Sequence, residues 1–379
     1  MNALILSCNT GEGHNSCAKA VKECFERHNQ PCRIEDALRF ISGGTSRFIS
    51  KWHVRLYRHM PKLYGAGYRF SEKHPRTMDE SSPTYRLMGE GTEALYRYIE
   101  ENRIDAVICP HVFAAMMVTE LLKKHPELTL KSCFIATDYT CSPGTETIGL
   151  DWFFVPDIRI VRGHLDGGVR PEQVVESGIP VRQAFYGGVD KKQAKRMLGY
   201  DEEGMHLLLM CGSMGCGPMK RLAALLADRL KGRQHMTIVC GTNRKLLRWM
   251  DKTFFGRSDV KVIGYAENIS LLMDSADLYL TKPGGISTSE AAAKALPMVL
   301  VNAVAGCEGY NLDYFVKTGL ADTAGTAEEL ARLCTQILAD PQRLAAMRAA
   351  GLKRPRTNAA ERIYSCLSGE NCEKEGTIK

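Results

Sequence analysis

No apolar run in this sequence reaches the ~18–20 residues that a helix needs to cross a bilayer. The apolar stretch at the N-terminus, MNALILSC, is also too short for a signal peptide, and a glycine loop follows it directly. With 44% apolar and 25% charged residues, the composition is typical of a soluble globular protein. We therefore expect no membrane-spanning segment.

Motifs for metal and nucleotide chemistry are missing too. No Asp-x-Asp pair follows a predicted strand, no His-Glu-x-x-His or three-histidine cluster is present, and the glycine loops lack the lysine of a P-loop. A net charge of +7 and one short basic cluster, Lys353 to Arg356, give little support for nucleic-acid binding. We expect no metal, no cofactor and no nucleic-acid partner.

Cysteine is present, but not in the spacing of a zinc site. None of the 14 cysteines forms a Cys-x-x-Cys pair, and the spacing of Cys211 and Cys216 is unlike that of a zinc knuckle. We expect reduced thiols in a cytoplasmic protein.

The most informative stretch runs from Leu278 to Asn311. A short apolar strand (Leu278–Leu280) precedes a Gly284–Gly285 turn, a small-residue helix is predicted from about Ser287 to Leu296, and a proline ends that helix before another buried strand. Glycines let an anion approach the backbone, and the N–H groups of the first helical turn point at it. The stretch therefore predicts an anion site.

Glu290 lies one turn into this helix and has two interpretations. A carboxylate at that place can accept hydrogen bonds from both hydroxyls of a ribose. However, Ser287-x-x-Glu290 is also the pattern of a capping box, in which the glutamate bonds back to the cap N–H. The local pattern alone slightly favours the capping role.

The wider stretch resembles the donor-nucleotide signature of family 28 glycosyltransferases. This family includes the monogalactosyldiacylglycerol synthases, the processive diacylglycerol glucosyltransferases and the N-acetylglucosamine transferase that makes lipid II. The shared features are Pro-Gly-Gly, a Ser/Thr pair, Glu290, a strand after Pro297 and a closing Gly306-Cys307-Glu308…Asn311 loop. The resemblance implies that Glu290 holds the ribose of a UDP-sugar. Cys307 stands where the family usually has glutamine.

The resemblance implies the GT-B architecture, an α/β fold of two Rossmann-like domains whose parallel sheets face a central cleft. The length of 379 residues suits two domains of ~150–190 residues each. We expect an acceptor domain at 1–183, joined by a C-terminal helix at 356–368, a UDP-sugar domain at 184–355, and a flexible tail at 369–379. The implied donor-binding residues are Gly212, Ser213, Met214, Gly241, Tyr265, Ala266, Pro283, Gly284, Gly285, Ile286, Ser287, Glu290, Cys307, Glu308 and Asn311.

The first strand, Ala3 to Ser7, leads into a glycine loop, Thr10 to His14, and then a helix, which is a Rossmann-like opening. From the residues alone, an ordinary strand–helix turn explains this pattern as well. The loop resembles the first loop of the diacylglycerol glycosyltransferases, which implies acceptor contacts at Gly11 and Gly13. It also implies that His14 lies between acceptor hydroxyl and donor sugar as the general base. The alternatives for His14 are a helix cap or a bond to a donor phosphate.

His111 and Asp138 each follow a predicted strand of the first domain. The carboxyl ends of parallel strands face the ligand crevice, so both are expected beside the His14 loop. For His111 a structural role is favoured over an acceptor contact. Asp138, in a Thr-Asp pair similar to the family's, is evenly balanced between a structural role and orienting His14 or an acceptor hydroxyl.

Residues 45–60 carry two stripes at helical spacing, and Pro61 ends or kinks this helix. Arg47, Lys51, Arg55 and Arg58 form the basic stripe, and Phe48, Trp52, Leu56 and Met60 the apolar one. Periodicity alone favours a core helix with a solvated basic edge. The family resemblance implies instead a helix that lies on an anionic membrane. Residues 71–90 are predicted to form a loop.

The resemblance as a whole implies an inverting, metal-independent transfer of a hexose from a UDP-sugar to diacylglycerol or a related lipid. Two other functions stay open: a catalytically silent UDP-sugar sensor or scaffold, and a UDP-sugar 2-epimerase of the same fold. The Thr45–Met60 segment and His14 favour the transferase. Its expected location is cytoplasmic, peripheral on the inner face of the cell membrane.

Overall fold

The computed structural model describes residues 1–8, 12–42, 44, 60–74, 77–160, 169–215, 217–301, 306–354 and 357–370. They cluster into two compact units. The first takes the described parts of Met1–Gln183, Val304–Tyr310 and Thr357–Lys379, and the second those of Ala184–Ala303 and Asn311–Arg356.

The first unit contains a parallel six-stranded sheet in the order β2-β1-β3-β4-β5-β6. Its strands are β1 (Ala3–Ser7), β2 (Cys32–Asp36), β3 (Ala106–Cys109), β4 (Lys131–Ile135), β5 (Trp152–Val155) and β6 (Val174–Glu176). The chain winds from β1 outward to β2 and then crosses back to β3, which pairs with the other side of β1. The winding direction therefore reverses between β1 and β3, which is where doubly wound sheets bind ligands.

The second unit contains a sheet of the same kind in the order β12-β11-β10-β7-β8-β9. Its strands are β7 (His206–Met210), β8 (His235–Val239), β9 (Val260–Ile263), β10 (Leu278–Thr281), β11 (Met298–Leu300) and β12 (Ala321–Thr323). Here the winding reverses between β7 and β10, which pair in parallel from Leu207↔Leu278 to Leu209↔Leu280.

Helices cover both sheets. In chain order they are α1 (Glu12–Arg27), α2 (Leu38–Ile41), α3 (Pro61–Lys73), α4 (Pro83–Gly89), α5 (Thr92–Asn102), α6 (Val112–Lys124), α7 (Lys191–Met197), α8 (Met219–Ala227), α9 (Arg244–Thr253), α10 (Ile269–Ser275), α11 (Gly285–Ala293), α12 (Cys307–Lys317), α13 (Ala327–Leu338), α14 (Pro341–Leu352) and α15 (Ala359–Ser368). Strands buried on both faces read as continuous apolar runs, and all five residues of β1 and of β7 are buried.

The prediction of a loop over residues 71–90 is wrong in part. Residues 71–73 complete α3, and Pro83 to Gly89 form α4. Ser82 caps α4 by accepting a hydrogen bond from the N–H of Tyr85 at 3.1 Å, and Pro83 occupies the first helical position. A serine cap followed by proline is a helix-start signal, and Tyr85 and Met88 are buried beneath the helix.

The C-terminal helix α15 packs on α1. Glu361 of α15 forms ion pairs with Arg27 at 2.9 Å and with His28 at 2.7 Å. The ring of Tyr364 stacks on His28 and meets Phe25 edge-on, with ring centroids 3.9 and 5.2 Å apart. These contacts tie α15 to the first unit. Of the predicted tail at 369–379, residues 371–379 lie outside the described part of the chain.

Among the helices described, none is both long and apolar enough to span a membrane. Cys8, Cys17, Cys109, Cys133 and Cys334 are among the buried free thiols, but Cys366 is disulfide-bonded. The expectation of reduced thiols is therefore wrong at Cys366, because residue spacing does not reveal which cysteines approach within bonding distance.

Candidate active site

His14 lies in the first turn of α1, at the winding reversal of the first sheet. Its Nδ1 lies 2.8 Å from the carbonyl oxygen of Pro110 and 3.1 Å from Oγ1 of Thr137. A carbonyl oxygen can only accept, so Nδ1 carries the hydrogen and donates it to Pro110. In the neutral ring, Nε2 is then the nitrogen that can accept a proton.

The surroundings of His14 keep the ring neutral. Burial lowers the pKa of His14 below its ordinary value of 6.5, while the negative charge of Asp138 and the hydrogen bond to Pro110 raise it in part. A position in the first turn of a helix also disfavours a positive charge. A histidine of this kind is neutral near pH 7 and can act as a base.

His111 and Asp138 lie beside His14, as the sequence predicts. The His111 and His14 rings meet edge-on with centroids 4.5 Å apart, and Nδ1 of His111 caps α6 by accepting from the N–H of Phe113 at 3.0 Å. The favoured structural role of His111 therefore has a physical basis in this cap. Asp138 is half-buried and follows Thr137 at the end of β4.

Pro110 and Thr137 were not among the predicted site residues. Pro110 acts through a backbone oxygen, which no side-chain pattern reveals, and Thr137 was visible only as part of a Thr-Asp pair. The predicted glycine loop at Thr10–His14 is also corrected, because α1 begins at Glu12 and includes Gly13 and His14. An acidic residue in the first turn favours that early start.

Gly11, with Arg47, Lys51, Trp52, Arg55 and Arg58 of the predicted membrane helix, lies outside the described residues. Helix α3 begins with Pro61 at its first position. The exposed side chains of Met60, Leu63 and Phe70 recur along one stripe of this segment, whereas Gly65 is buried and Tyr68 half-buried on the opposite face.

Tyr68 connects two of the predicted site residues within the first unit. Its ring packs on Gly306, where an added Cβ would lie 3.0 Å from the ring Cγ. Burial, followed by the charges of Cys307 and Asp138, raises the pKa of Tyr68. Cys307, from the predicted donor loop, and Asp138, from the predicted acceptor site, are therefore both near this tyrosine.

The other predicted donor residues come from the second unit and collect at the carboxyl edge of its sheet. Gly212, Ser213 and Met214 follow β7, Gly241 follows β8, Tyr265 and Ala266 follow β9, and Pro283 to Ser287 follow β10. Tyr265 is largely exposed and Ala266 half-buried. Because every strand of this sheet is parallel to its neighbours, these loops open on the same side.

Gly241 brings two of these loops into backbone contact. The N–H of Thr242 donates to the carbonyl oxygen of Ser213 at 2.8 Å, and a Cβ added to Gly241 would lie only 2.0 Å from that same oxygen. Gly241 also has a left-handed φ of +58°. A glycine is therefore needed at position 241 to hold the Ser213 loop in place, whatever binds there.

We expect Gly241→Ala to destabilise the protein much more than Gly256→Ala. Gly256 has a φ of +80° and no atom within 4 Å of an added Cβ, so its substitution introduces only left-handed strain, about 1–2 kcal/mol. Gly241→Ala adds the collision with Ser213 and should lower the free energy of unfolding by at least ~1 kcal/mol more. Urea titration of both variants measures the difference, and equal losses would contradict the packing argument.

The helix after the Pro-Gly-Gly turn begins earlier than predicted. Helix α11 starts at Gly285, with Gly284 as its cap in an extended conformation, and not at Ser287. Ser287 is thus already inside the first turn, so Ser287 and Glu290 do not form a capping box. The capping box, which the local pattern alone slightly favoured, is therefore wrong. Glu290 is half-buried, and its charge adds to the effect of burial in raising the pKa of Tyr279.

The predicted closing loop is a helix. Residues Cys307 to Lys317 form α12, and its first residues, through Tyr310, cluster with the first unit. Cys307 and Glu308 thus belong to the first unit, with Glu308 buried. Asn311 belongs to the second, where its Nδ2 donates to the carbonyl oxygen of Pro283 at 3.0 Å and fixes the turn before α11.

One group of the described residues has the composition of a metal site. Ligand atoms of Cys24, His28 and Glu361 lie within 4.8 Å of one another. This cluster is at the C-terminal end of α1, three turns from His14, and the ion pairs of Glu361 with Arg27 and His28 account for it. It forms no part of the candidate site.

Residues 14–181 match the family model described as monogalactosyldiacylglycerol synthase, and residues 219–354 match that of glycosyl transferases group 1. The processive diacylglycerol beta-glucosyltransferase of Bacillus mycoides is 28% identical over 375 residues, which cover 97% of this chain and 93% of that protein.

Two solved structures share the fold. MurG of Acinetobacter baumannii is 13% identical with a TM-score of 0.63, covering 97% of this chain and 99% of its own. A putative UDP-N-acetylglucosamine 2-epimerase from Listeria monocytogenes is 11% identical with a TM-score of 0.65, covering 100% and 98%. These likenesses, with the two parallel sheets, confirm the predicted GT-B class of two Rossmann-like units.

Proposed function

We propose that this chain transfers a hexose from a UDP-sugar to the hydroxyl of diacylglycerol or a related lipid. The chain belongs to the family 28 glycosyltransferases of the monogalactosyldiacylglycerol synthase and processive diacylglycerol glucosyltransferase type. The relative in Bacillus mycoides is named for glucosyl transfer to diacylglycerol, and the sequence match extends over nearly the whole chain. The hexose and the lipid follow from that resemblance.

The observation that carries the proposal is the orientation of His14. With Nδ1 donating to Pro110, Nε2 can take the proton of an acceptor hydroxyl. The oxygen then attacks C1 of the sugar, and the bond between C1 and the diphosphate breaks, so that UDP leaves with the electron pair. In the second unit, the loop after β7 and the N-terminus of α11 offer N–H groups for the charge on UDP.

Two other functions are separated from this one by experiment. A silent UDP-sugar sensor would bind the donor without turnover, and an epimerase would convert the donor without a lipid. We would incubate the purified protein with diacylglycerol vesicles and, in turn, UDP-glucose, UDP-galactose and UDP-N-acetylglucosamine, and analyse both lipid and nucleotide products. Glycolipid formed from one donor is the expected result. Donor binding with no product, or an isomerised donor, would point to an alternative.

We further propose that α3 and the segment before it lie on an anionic membrane surface. Met60, Leu63 and Phe70 are 51%, 53% and 54% exposed along one stripe, and Arg69 and Lys73 are exposed on the same helix. The opposite face carries Tyr68, close to Asp138. A helix placed in this way would hold the lipid surface next to the site that must receive the acceptor hydroxyl.

We expect the triple variant Met60→Ser, Leu63→Ser, Phe70→Ser to bind anionic vesicles about 100-fold more weakly. Each large apolar side chain contributes roughly 1.5–3 kcal/mol when fully removed from water, so even partial insertion of three side chains has an effect of this size. Changing Arg47, Lys51, Arg55 and Arg58 to glutamine should also weaken binding, by roughly 1 kcal/mol per charge near the surface. Vesicle co-sedimentation measures both.

Phe255→Ser is the matched control, because Phe255 is 92% exposed in the second unit. It should leave vesicle binding unchanged, and turnover of a soluble short-chain acceptor should survive in all variants. Binding of the unmodified protein should weaken with salt, since the Debye length falls from ~10 Å at 0.1 M to ~3 Å at 1 M. Binding that ignores these substitutions and salt would argue against a membrane role for this surface.

A further inference from the structure

Lys282 lies between the two glycine turns of the second unit. It is the first residue after β10, and its side chain extends toward the loop after β7. A Cβ added to Gly212 would lie 2.8 Å from Cε and 3.8 Å from Nζ of Lys282, and one added to Gly284 would lie 3.6 and 3.9 Å from the same atoms. The ammonium group is therefore within a few ångströms of both turns.

This place is the winding reversal of the second sheet. Strands β7 and β10 are neighbours although β8 and β9 separate them in sequence, so the loops at their carboxyl ends diverge and leave a crevice. One wall of that crevice is the Gly212 loop, and the other is the turn that leads into α11. Lys282 places a full positive charge where the backbone contributes only partial charges.

We infer that Lys282 binds the donor diphosphate and stabilises the negative charge that UDP gains as it leaves. The inference rests on the proposed function and adds a side chain to a site that the sequence assigned to backbone N–H groups alone. The inference also gives a second reason for glycine at position 212. Its φ of +69° is left-handed, and its missing side chain leaves the space that Lys282 occupies.

The chemistry gives the lysine a larger effect on turnover than on binding. When the acceptor oxygen bonds to C1, the bond from C1 to the β-phosphate oxygen breaks and its electron pair stays on that oxygen. The acceptor proton goes to Nε2 of His14, so the departing UDP carries one more negative charge than it did in the donor. A fixed ammonium group stabilises this developing charge more than the ground state, and thereby lowers the barrier.

Calorimetry with UDP, UMP and uridine tests the inference without any lipid. We expect Lys282→Met to bind UDP about 10- to 100-fold more weakly, because a hydrogen bond to a charged group is lost, and to bind uridine as the unmodified protein does. Lys282→Arg, which keeps the charge, should retain much of the UDP affinity. Lys252→Met, which removes an exposed lysine of α9, is the charge-matched control and should change nothing.

Single-turnover rates on vesicles give the second readout. The rate at saturating donor should fall by a larger factor in Lys282→Met than UDP affinity does, since the charge grows toward the transition state. Should Lys282→Met fail to fold, Lys282→Gln gives the same comparison with a polar side chain.

Three results would overturn the inference. Unchanged UDP affinity and turnover in the neutral variants would remove Lys282 from the diphosphate site. An equal loss of uridine and UDP affinity would mean that the lysine only supports the shape of the Gly212 loop. If the unmodified protein binds neither UDP nor UMP, the proposed function itself fails, which separates that failure from the first two.

Discussion

The His14→Ala variant should turn over about 10²–10⁴-fold more slowly at saturating donor while its affinity for UDP stays nearly unchanged. That range is typical for the loss of a general base. The physical reason is that one hydrogen bond fixes the orientation of the His14 ring. Its Nδ1 donates to the carbonyl oxygen of Pro110, so Nε2 is the proton acceptor, and burial keeps the imidazole neutral. Single-turnover rates on diacylglycerol vesicles and calorimetry with UDP measure the two quantities.

The pH profile separates a base from a residue that only shapes the site. Burial lowers the pKa of His14 below 6.5, so the rate should fall with acid only below that pH. The charge of Asp138 favours the protonated ring and therefore raises that pKa. Asp138→Asn removes this charge and so lowers the pKa of His14 further. The acidic limb of kcat/KM should therefore move to still lower pH, and the rate at pH 7 should decrease.

A His14→Ala protein that turns over normally would remove the residue from the chemistry. The same holds if its only defect is weaker UDP binding, which would fit a bond to a donor phosphate instead. An acidic limb that stays in place in Asp138→Asn would mean that Asp138 does not act on His14. If His14→Ala turns over normally, Asp138 becomes the next residue to test as the base.

The sequence predicted the central strands β1 and β10 but missed two of the edge strands. Strands such as β1 (ALILS) and β7 (HLLLM) are buried along their whole length and each carries four consecutive apolar residues, because parallel sheets are covered on both faces. The edge strands β2 (CRIED) and β12 (ADT) were not predicted. An edge position tolerates polar residues, and three residues are too few to produce a periodic signal, so pairing with β1 and β11 decides these strands.

The candidate site shows a similar limit. Residue types and a family resemblance identified His14, Asp138 and the glycine turns, which the topology does bring to the carboxyl edges of the two sheets. The sequence could not show which atoms each of these residues contacts. The bond from His14 to Pro110 uses a backbone oxygen, and Lys282 becomes notable only when β10 is placed beside β7.

Glu290 shows how one helix boundary changes a functional assignment. The local pattern alone slightly favoured a capping box at Ser287, because Ser-x-x-Glu is the sequence pattern of such a box. The extended conformation of Gly284 and the bond from Asn311 to Pro283 instead start α11 two residues earlier. With Ser287 inside the helix, a capping box does not explain Glu290, and ribose binding is the role we propose.

Glu290→Gln should weaken UDP binding about 10- to 100-fold. A carboxylate that accepts from two ribose hydroxyls makes charge-assisted bonds worth roughly 1.5–3 kcal/mol each, and the amide retains only part of this while preserving shape. Calorimetry with UDP and with 2′,3′-dideoxy-UDP, which lacks both hydroxyls, isolates those bonds. The unmodified protein should prefer UDP strongly, and Glu290→Gln should bind the two nucleotides almost equally.

A capping role for Glu290 is tested by comparison with Glu329, a glutamate that does form a capping box. Thr326 and Glu329 form a capping box at the start of α13, so Glu329→Ala should lower the free energy of unfolding by ~0.5–1 kcal/mol and leave UDP affinity alone. Glu290→Ala should do the reverse, because its helix is capped by Gly284 without a side chain. If Glu290→Ala instead loses stability and keeps its preference for UDP over the dideoxy nucleotide, the carboxylate supports the helix and the ribose must be held by another group.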